Sequence, residues 1–271
     1  MRDEKATASF DRRSVLQRGL ALAALSAIHG FVSPGAAQTG TWPGVAKSLT
    51  LLVRKPGMSH VEFMRYWLEV HAPMALRVPG MRGFIAMEVI GTSARPDIPG
   101  PRPIEIDGIA ESWHDATNSP ANPDASTEAK RWFADGPKFV GQACNFVTRE
   151  AVVVKPTRGA KGLVSLLKRK AHTTHAAFIK HWIEVHGPMA HSVPGVTGLI
   201  LGEVIAQRER ADIETLRGFG EVDGIAESWH ADTTRPGLTS PEAKRWYADG
   251  ASSIGESRTY LTQDNVVIEP T

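Results

Sequence analysis

Two histidines stand in the same eight-residue setting in the two halves of the chain. The segment WLEVHAPM at residues 67–74 returns as WIEVHGPM at residues 182–189. In each copy the histidine, His71 or His186, follows a tryptophan by four residues, so both side chains lie on one face of a helix. An imidazole on an apolar helix face is partly desolvated and near its switching pH. These histidines are the first candidates for proton transfer.

A structural role for the same histidines is the alternative. A core histidine is usually hydrogen bonded to a neighbouring carbonyl or carboxylate. The repetition does not distinguish a catalytic role from a structural one, because a structural feature is also repeated when a domain is duplicated.

A second pair of candidates lies in the string DGIAESW, which occupies residues 107–113 and 223–229. Its alternation predicts a strand that carries Asp, Ile, Glu and Trp on one face. Glu111 and Glu227 would then face a pocket or orient the motif histidines, and a His–Glu couple is a suitable general acid–base pair next to a carbonyl. The candidate catalytic residues are therefore His71, His186, Glu111 and Glu227. The candidate substrate-binding residues are Trp67, Trp182, Trp113, Trp229, Asp107 and Asp223.

Elements that could position these residues follow the same order in both halves. Apolar runs, a Ser59–Glu62 capping box and the Ser240-Pro241 helix start predict strand, helix, strand, strand, helix, strand, twice. This is the ferredoxin-like split βαββαβ pattern. The sequence thus predicts an α+β chain of two tandem ferredoxin-like repeats, packed sheet to sheet as one barrel-like body with a pocket between the sheets.

Four segments are expected along the chain. Residues 1–37 form a signal peptide, residues 46–155 the first repeat, residues 156–161 the linker and residues 162–271 the second repeat. A repeat of this size is a duplicated domain, since solenoid units are shorter.

These motifs resemble the EthD family of dimeric α+β barrels. The resemblance rests on the Trp…His-Ala/Gly-Pro strings, the two Val-Pro-Gly turns that follow them at residues 78–80 and 193–195, and the two DGIAESW strings. It covers nearly the whole chain after the signal peptide. Members are usually single-domain proteins that pair, whereas two copies here would let one chain form a whole barrel. The resemblance implies small-molecule chemistry of varied type, including lactone isomerases and dehydratases without cofactors.

Composition excludes several other classes. A formal net charge of +2 gives no reason to expect nucleic-acid binding. The single cysteine, Cys144, allows no intramolecular disulfide and is expected to be a packing residue. The ten histidines do not fall in a known metal-ligand spacing. No Gly-rich phosphate loop or Gly-x-Ser-x-Gly motif occurs, so neither a metal nor a cofactor is expected.

Three functions remain open at this stage. The first is a cofactor-independent lyase or isomerase acting on a lactone, phenolic or polyketide-like compound. The second is a non-catalytic binding module for a small aromatic ligand. The third is a haem protein with a helix histidine as axial ligand. The partner in each case is a small molecule, and the chain would be a monomer with pseudo-twofold symmetry or a homodimer.

The first 37 residues resemble a twin-arginine export signal. Arg12 and Arg13 precede a mildly apolar run, and small residues at 35–37 offer a cleavage site. The apolar run is too short for a stable membrane span, which needs ~20 residues. A periplasmic or secreted location is therefore expected, with an uncleaved amphipathic anchor as the alternative.

Replacing Arg12 and Arg13 together by Lys should trap the precursor in the cytoplasm, because the paired arginines are the part of the signal that the twin-arginine export pathway recognises. The measurement is the periplasmic yield and the processing of the chain after fractionation. Unchanged yield with intact processing near Ala37 would contradict the twin-arginine assignment.

Overall fold

The computed structural model describes residues 45–98, 100–115, 126–231 and 239–271. The predicted signal peptide lies outside these ranges. The strands are β1 (Val45–Arg54), β2 (Met81–Ser93), β3 (Gly108–Asp115), β4 (Val140–Val154), β5 (Lys161–Arg169), β6 (Val196–Arg208), β7 (Glu214–Thr215), β8 (Gly224–His230) and β9 (Ile254–Ile268).

The helical elements follow β1, β3, β5 and β8. In the first half they are α1 (His60–Tyr66), a π-helical turn (Trp67–His71), α2 (Ala72–Met74), a 3-10 turn (Ala75–Arg77), α3 (Thr127–Asp135) and a second 3-10 turn (Gly136–Lys138). In the second half they are α4 (His175–His181), a π-helical turn (Trp182–His186), α5 (Gly187–Met189), a 3-10 turn (Ala190–Ser192) and α6 (Pro241–Ser253). The described residues contain no helix long and apolar enough to cross a membrane.

Helix starts follow the predicted chemistry. Ser59 accepts a hydrogen bond from the Glu62 backbone, and the Glu62 side chain returns to the Ser59 backbone N–H, which completes the capping box. Ser240 caps α6, with Pro241 as its first residue. These local signals therefore set where the helices begin.

Eight strands close into one antiparallel barrel. The order is β1-β3-β2-β9-β5-β8-β6-β4, and β4 also pairs with β1. The first half contributes β4-β1-β3-β2 and the second half β9-β5-β8-β6. The halves meet where β2 pairs with β9 and where β4 pairs with β6. The predicted barrel-like α+β body is confirmed, but its two sheets are joined at both edges and are not separate layers.

A mixed apolar core fills the barrel interior. Leu49, Ile85 and Ile109 from the first half pack in one cluster with Leu166 and Tyr260 from the second. Side chains alternate across a strand, so the opposite face of each sheet is left for the helices. The two cavities described below lie on that helix side. The prediction of a pocket between the two sheets is therefore wrong, because core side chains occupy that space.

Buried charges occupy the barrel interior next to this core. The Lys47 ammonium lies 2.7 Å from Glu111, 2.6 Å from Glu150 and 2.6 Å from Glu227. Arg158, from the linker, lies 3.1 Å from Glu111 and 3.5 Å from Glu227. We call these five residues, with Asp264 near Arg158 and Trp229, the charge cluster.

Burial and mutual repulsion change the pKa of several carboxyl groups in the charge cluster. Burial and the neighbouring Glu111 raise the pKa of Glu227 well above its ordinary value. Burial also raises the pKa of Asp264 to about 6. Burial opposes ionisation of Glu111 too, but Lys47 and Arg158 lower its pKa. Protonation of Glu227 thus lowers the negative charge that faces Lys47 and Arg158.

Replacing Lys47 by Met should destabilise the fold by about 3–5 kcal/mol, because buried carboxylates would lose their shared cation. The measurement is the free energy of unfolding in urea. Lys168→Met is the matched control: Lys168 is 40% exposed and lies 3.5 Å from the 44% exposed Glu256. Such a surface pair contributes only ~0–1 kcal/mol. Equal unfolding midpoints for the two variants would contradict this account.

Candidate functional site

A π-helical turn presents each motif histidine to the sheet. Pro73 has no N–H to donate to the carbonyl four residues back, and the Ala72 N–H bonds to the Trp67 carbonyl five residues back. This wider turn keeps Trp67 and His71 together on the buried side, as predicted. Val70, which precedes His71 in this turn, is 45% exposed. The second half repeats the arrangement.

Each motif histidine is paired with an aspartate from the second helix of its own half. His71 Nδ1 lies 2.9 Å from Asp135 Oδ2, and His186 Nδ1 lies 2.8 Å from Asp249 Oδ1. We call these pairs the His71 dyad and the His186 dyad. Sequence reasoning missed both aspartates. The signal was present in the repeated strings WFADG (residues 132–136) and WYADG (residues 246–250).

A tryptophan of the same helix holds each imidazole by stacking. The rings of His71 and Trp132 are 5.4 Å apart at 20°, and those of His186 and Trp246 are 5.4 Å apart at 16°. The Trp246 indole also donates to the His186 carbonyl at 3.2 Å. The imidazoles are therefore fixed in both direction and plane.

The two imidazoles are neutral at pH 7. Burial lowers the pKa of His71 and of His186 to about 4, and this effect outweighs the hydrogen bond to aspartate. The aspartate accepts the Nδ1 proton, which leaves the Nε2 lone pair free to take up another proton. Each dyad can thus act as a general base with an oriented imidazole.

The predicted pairing of the histidines with Glu111 and Glu227 is wrong. Both glutamates point into the barrel interior and belong to the charge cluster, whereas the histidines lie on the helix side of the same sheets. Glycine, alanine and serine alternate with these glutamates along β3 and β8 and form the opposite face of each strand. That face is packed closely, since a Cβ at Gly108 would lie 2.3 Å from the Trp67 ring. The helix layer packs on this smooth face, so the glutamates are on the other side of the strand.

The predicted substrate-binding residues divide in the same way. Trp67 and Trp182 line the two cavities. Trp113 and Trp229 lie in the barrel interior, where Lys47 and Arg158 sit over their rings at 4.8 and 4.7 Å. Neither tryptophan lines either cavity.

Asp107 and Asp223 hold the helix starts and line neither cavity. Asp107 accepts from the Arg54 backbone at 2.8 Å and from its guanidinium, and pairs with His60 at 2.9 Å. Asp223 does the same with Arg169 and His175. Their assignment to substrate binding is therefore wrong.

The cavities beside the two dyads differ in size. The cavity at His71 has a volume of about 280 Å³, and the cavity at His186 about 1010 Å³. The Phe139 ring lies 4.8 Å from that of His71, while the matching residue of the second half is Ser253. The two cavities are therefore unequal, and the exchange of Phe139 for Ser253 is one difference between the halves beside the dyads.

Loops cross between the halves to cover the cavities. Residues 92–97, at the end of β2 and in the loop after it, line the cavity at His186. Residues 208–210 of the second half line the cavity at His71. Each cavity is therefore completed by the opposite half of the chain.

Two further histidines face these cavities. His114 lines the smaller cavity and His230 the larger, and burial lowers the pKa of both, that of His114 to about 4. Within the described ranges, no group of three or more His, Cys, Asp or Glu side chains is placed to hold a metal ion.

Known proteins match this chain in sequence and in fold. Residues 55–143 match the sequence profile of the EthD domain. A 4-carboxymethyl-4-methylbutenolide mutase of Pseudomonas reinekei is 33% identical over 104 residues, which are 38% of this chain and 96% of the mutase. An anthrone oxidase-like protein superposes with a TM-score of 0.53 at 10% identity, over 84% of this chain and 95% of its own. A protein of Lactobacillus acidophilus, assigned provisionally as a monooxygenase, superposes with a TM-score of 0.51 at 10% identity, over 82% and 95%. The last two show a shared fold.

The two motif histidines should stay neutral as the pH falls from 7 to about 5, because burial lowers their pKa to about 4. In the unfolded chain they titrate near ~6.5, so the folded state binds fewer protons below that pH. Stability is then fully present above pH ~6.5 and falls toward pH 4, by up to ~1.4 kcal/mol per pH unit and histidine. His71→Gln should reduce this slope in urea unfolding.

The imidazole resonances of the wild type in NMR give the direct measurement. Movement of both resonances through a midpoint near pH ~6.5 would contradict the assigned shift.

Proposed function

Because this chain belongs to the EthD family, we propose that it is a small-molecule isomerase acting on a lactone, with the His186 dyad as its working site. The observation that carries the proposal is an oriented, neutral imidazole backed by an aspartate at the wall of a cavity of about 1010 Å³. The relative that supports the reaction class is the butenolide mutase, which this chain covers almost completely.

The chemistry proposed is proton transfer next to a carbonyl. His186 Nε2 accepts a proton from the side-chain carbon beside the carboxyl group of the substrate as the C–O bond of the lactone ring breaks, and Asp249 stabilises the imidazolium that forms. The imidazolium returns the proton to the carbon beside the former lactone carbonyl as the carboxylate of the side chain closes a new ring. One C–H bond and one C–O bond break and one of each forms, so the step is balanced without an oxidant, and we propose that it needs no cofactor.

We assign the activity to the larger cavity because it has room for a small-molecule ligand. The usual volume of small-molecule sites is ~300–1,000 Å³. The larger cavity lies just above this range and the cavity at His71 just below it. The Phe139 ring also lies beside the His71 ring in the smaller cavity, whereas the matching residue of the second half, Ser253, has no ring to place beside His186. The His71 dyad is therefore proposed to be structural.

Architecture and location complete the proposal. Apart from the two-residue strand β7 and the 3-10 turn after α3, the two halves share one order of elements. They also share one strand order, which supports an origin as tandem ferredoxin-like repeats, each equivalent to one single-domain relative. Export by the twin-arginine route is proposed from Arg12 and Arg13, and a monomer with an internal pseudo-twofold axis from barrel closure within one chain.

His186→Gln should remain folded and lose turnover by ~10²–10⁴, the usual contribution of a general acid or base. His71→Gln, the matched control, should keep most of the activity. The assay incubates the purified protein with 4-carboxymethyl-4-methylbutenolide and follows the isomer by NMR, beside a thermal melt of each variant.

A second pair of variants tests the role of the space beside the dyad. Ser253→Phe should place a ring beside His186, as Phe139 lies beside His71, and should lower turnover, while Phe139→Ser in the smaller cavity should leave turnover unchanged.

Equal loss of rate in both histidine variants would contradict the assignment to one half. Saturable binding without product would indicate a binding module in place of an enzyme.

A further inference from the structure

We propose that Arg95, supplied by the first half of the chain, is the anion-binding residue of the cavity at His186 and selects substrates that carry a carboxylate. This inference rests on the proposed function, since it names the substrate class of the same site. It concerns a residue that neither the sequence motifs nor the dyads single out.

The crossing loop brings Arg95 to the cavity. Strand β2 pairs with β9 up to Ser93, opposite Thr259, and the chain then runs over α6. The Arg95 guanidinium lies 4.4 Å from the centre of the Tyr247 ring and donates to the Tyr247 carbonyl at 3.0 Å. The residue is therefore anchored to the helix that carries Asp249.

Two of the three guanidinium nitrogens of Arg95, Nε and Nη2, donate hydrogen bonds. Arg95 Nε and Nη2 donate to the two Asp97 oxygens at 3.2 and 2.5 Å. The other nitrogen, Nη1, faces the dyad. A Cβ built on Gly250 would lie 3.1 Å from Arg95 Nη1 and 3.1 Å from His186 Cε1. Arg95 Nη1 and His186 Cε1 therefore lie no more than twice that distance apart.

Charge in the cavity also favours an anion. The charged lining residues are three cations, Arg95, Lys161 and Lys244, and one carboxylate, Asp97. Counting Asp249 behind the imidazole still leaves one positive charge. Both lysines are exposed, while the Arg95 side chain is only 22% exposed. Arg95 is therefore the cation best placed for a desolvated carboxylate, which a planar guanidinium binds well.

The smaller cavity supplies a matched control. Arg210 donates to Asp212 at 2.9 and 2.6 Å and to the Phe133 carbonyl at 2.7 Å, and lies 4.7 Å over the Phe133 ring. Its anchoring thus repeats that of Arg95 in nearly every contact. Arg210→Gln should therefore reproduce any cost to loop anchoring without touching the cavity at His186.

The experiment compares the binding of 4-carboxymethyl-4-methylbutenolide with that of its methyl ester by calorimetry, on the full chain. The wild type should bind the acid about tenfold or more tightly than the ester, because a charge-assisted hydrogen bond contributes to the acid alone. Arg95→Gln should lower the affinity for the acid to that for the ester and leave the ester unchanged. Arg210→Gln should preserve the preference.

Asp97→Asn separates anion binding from loop anchoring, and serves as the second variant if Arg95→Gln does not fold. It removes a carboxylate that competes for the guanidinium, so the acid should bind several-fold more tightly. A merely structural role for the Arg95–Asp97 pair predicts weaker binding of both ligands.

Four results would overturn the proposal: no binding of the acid, an acid preference that survives Arg95→Gln, equal losses for acid and ester, or the same effect from Arg210→Gln. Binding and turnover fail independently. A preference for the acid that depends on Arg95, without formation of product, would contradict the proposed isomerase activity and support the anion site. Formation of product with binding that does not depend on Arg95 would support the isomerase activity and contradict the anion site.

Discussion

The backbone hydrogen bonds across the two seams, β2 with β9 and β4 with β6, are the constraint on which the rest of the molecule depends. A four-stranded sheet alone has two edges of unpaired N–H and C=O groups and one uncovered apolar face. Joining both edges of one sheet to both edges of the other satisfies these requirements together. Every strand of the barrel then has two neighbours, and the apolar faces enclose a common core.

Barrel closure determines where chemistry can take place. The interior is filled by apolar side chains and by a charge cluster whose carboxylates share Lys47 and Arg158. Space is left between the outer face of each half-barrel and its helices, where small residues alternate along β3 and β8. The seams also carry the loop after β2 across to the second half, so Arg95 reaches the cavity of a histidine 91 positions further along the chain.

The two halves have the same arrangement of strands and helices but differ in the residues that line their cavities. Each has the π-helical turn, the His–Asp dyad and the stacked tryptophan. Exchange of Phe139 for Ser253 removes an aromatic ring from beside one imidazole, and exchange of Phe84 for Leu199 shortens another wall. One copy can in this way hold the barrel together while the other accommodates a ligand, since core packing and ligand space compete for the same volume.

The sequence by itself determined the local features: the repeat, the capping box at Ser59, the common face of Trp67 and His71, and the element order. These features depend on residues a few positions apart, so the spacing of residue types along the chain is enough to predict them. Only the tertiary structure decided which partner each group takes. Glu111 and Asp135 were equally available to His71 in sequence, but alternation across β3 sends Glu111 into the barrel, while α3 brings Asp135 to within 2.9 Å. Cavity position and the crossing of Arg95 depend likewise on strand pairings between halves, which no local pattern encodes.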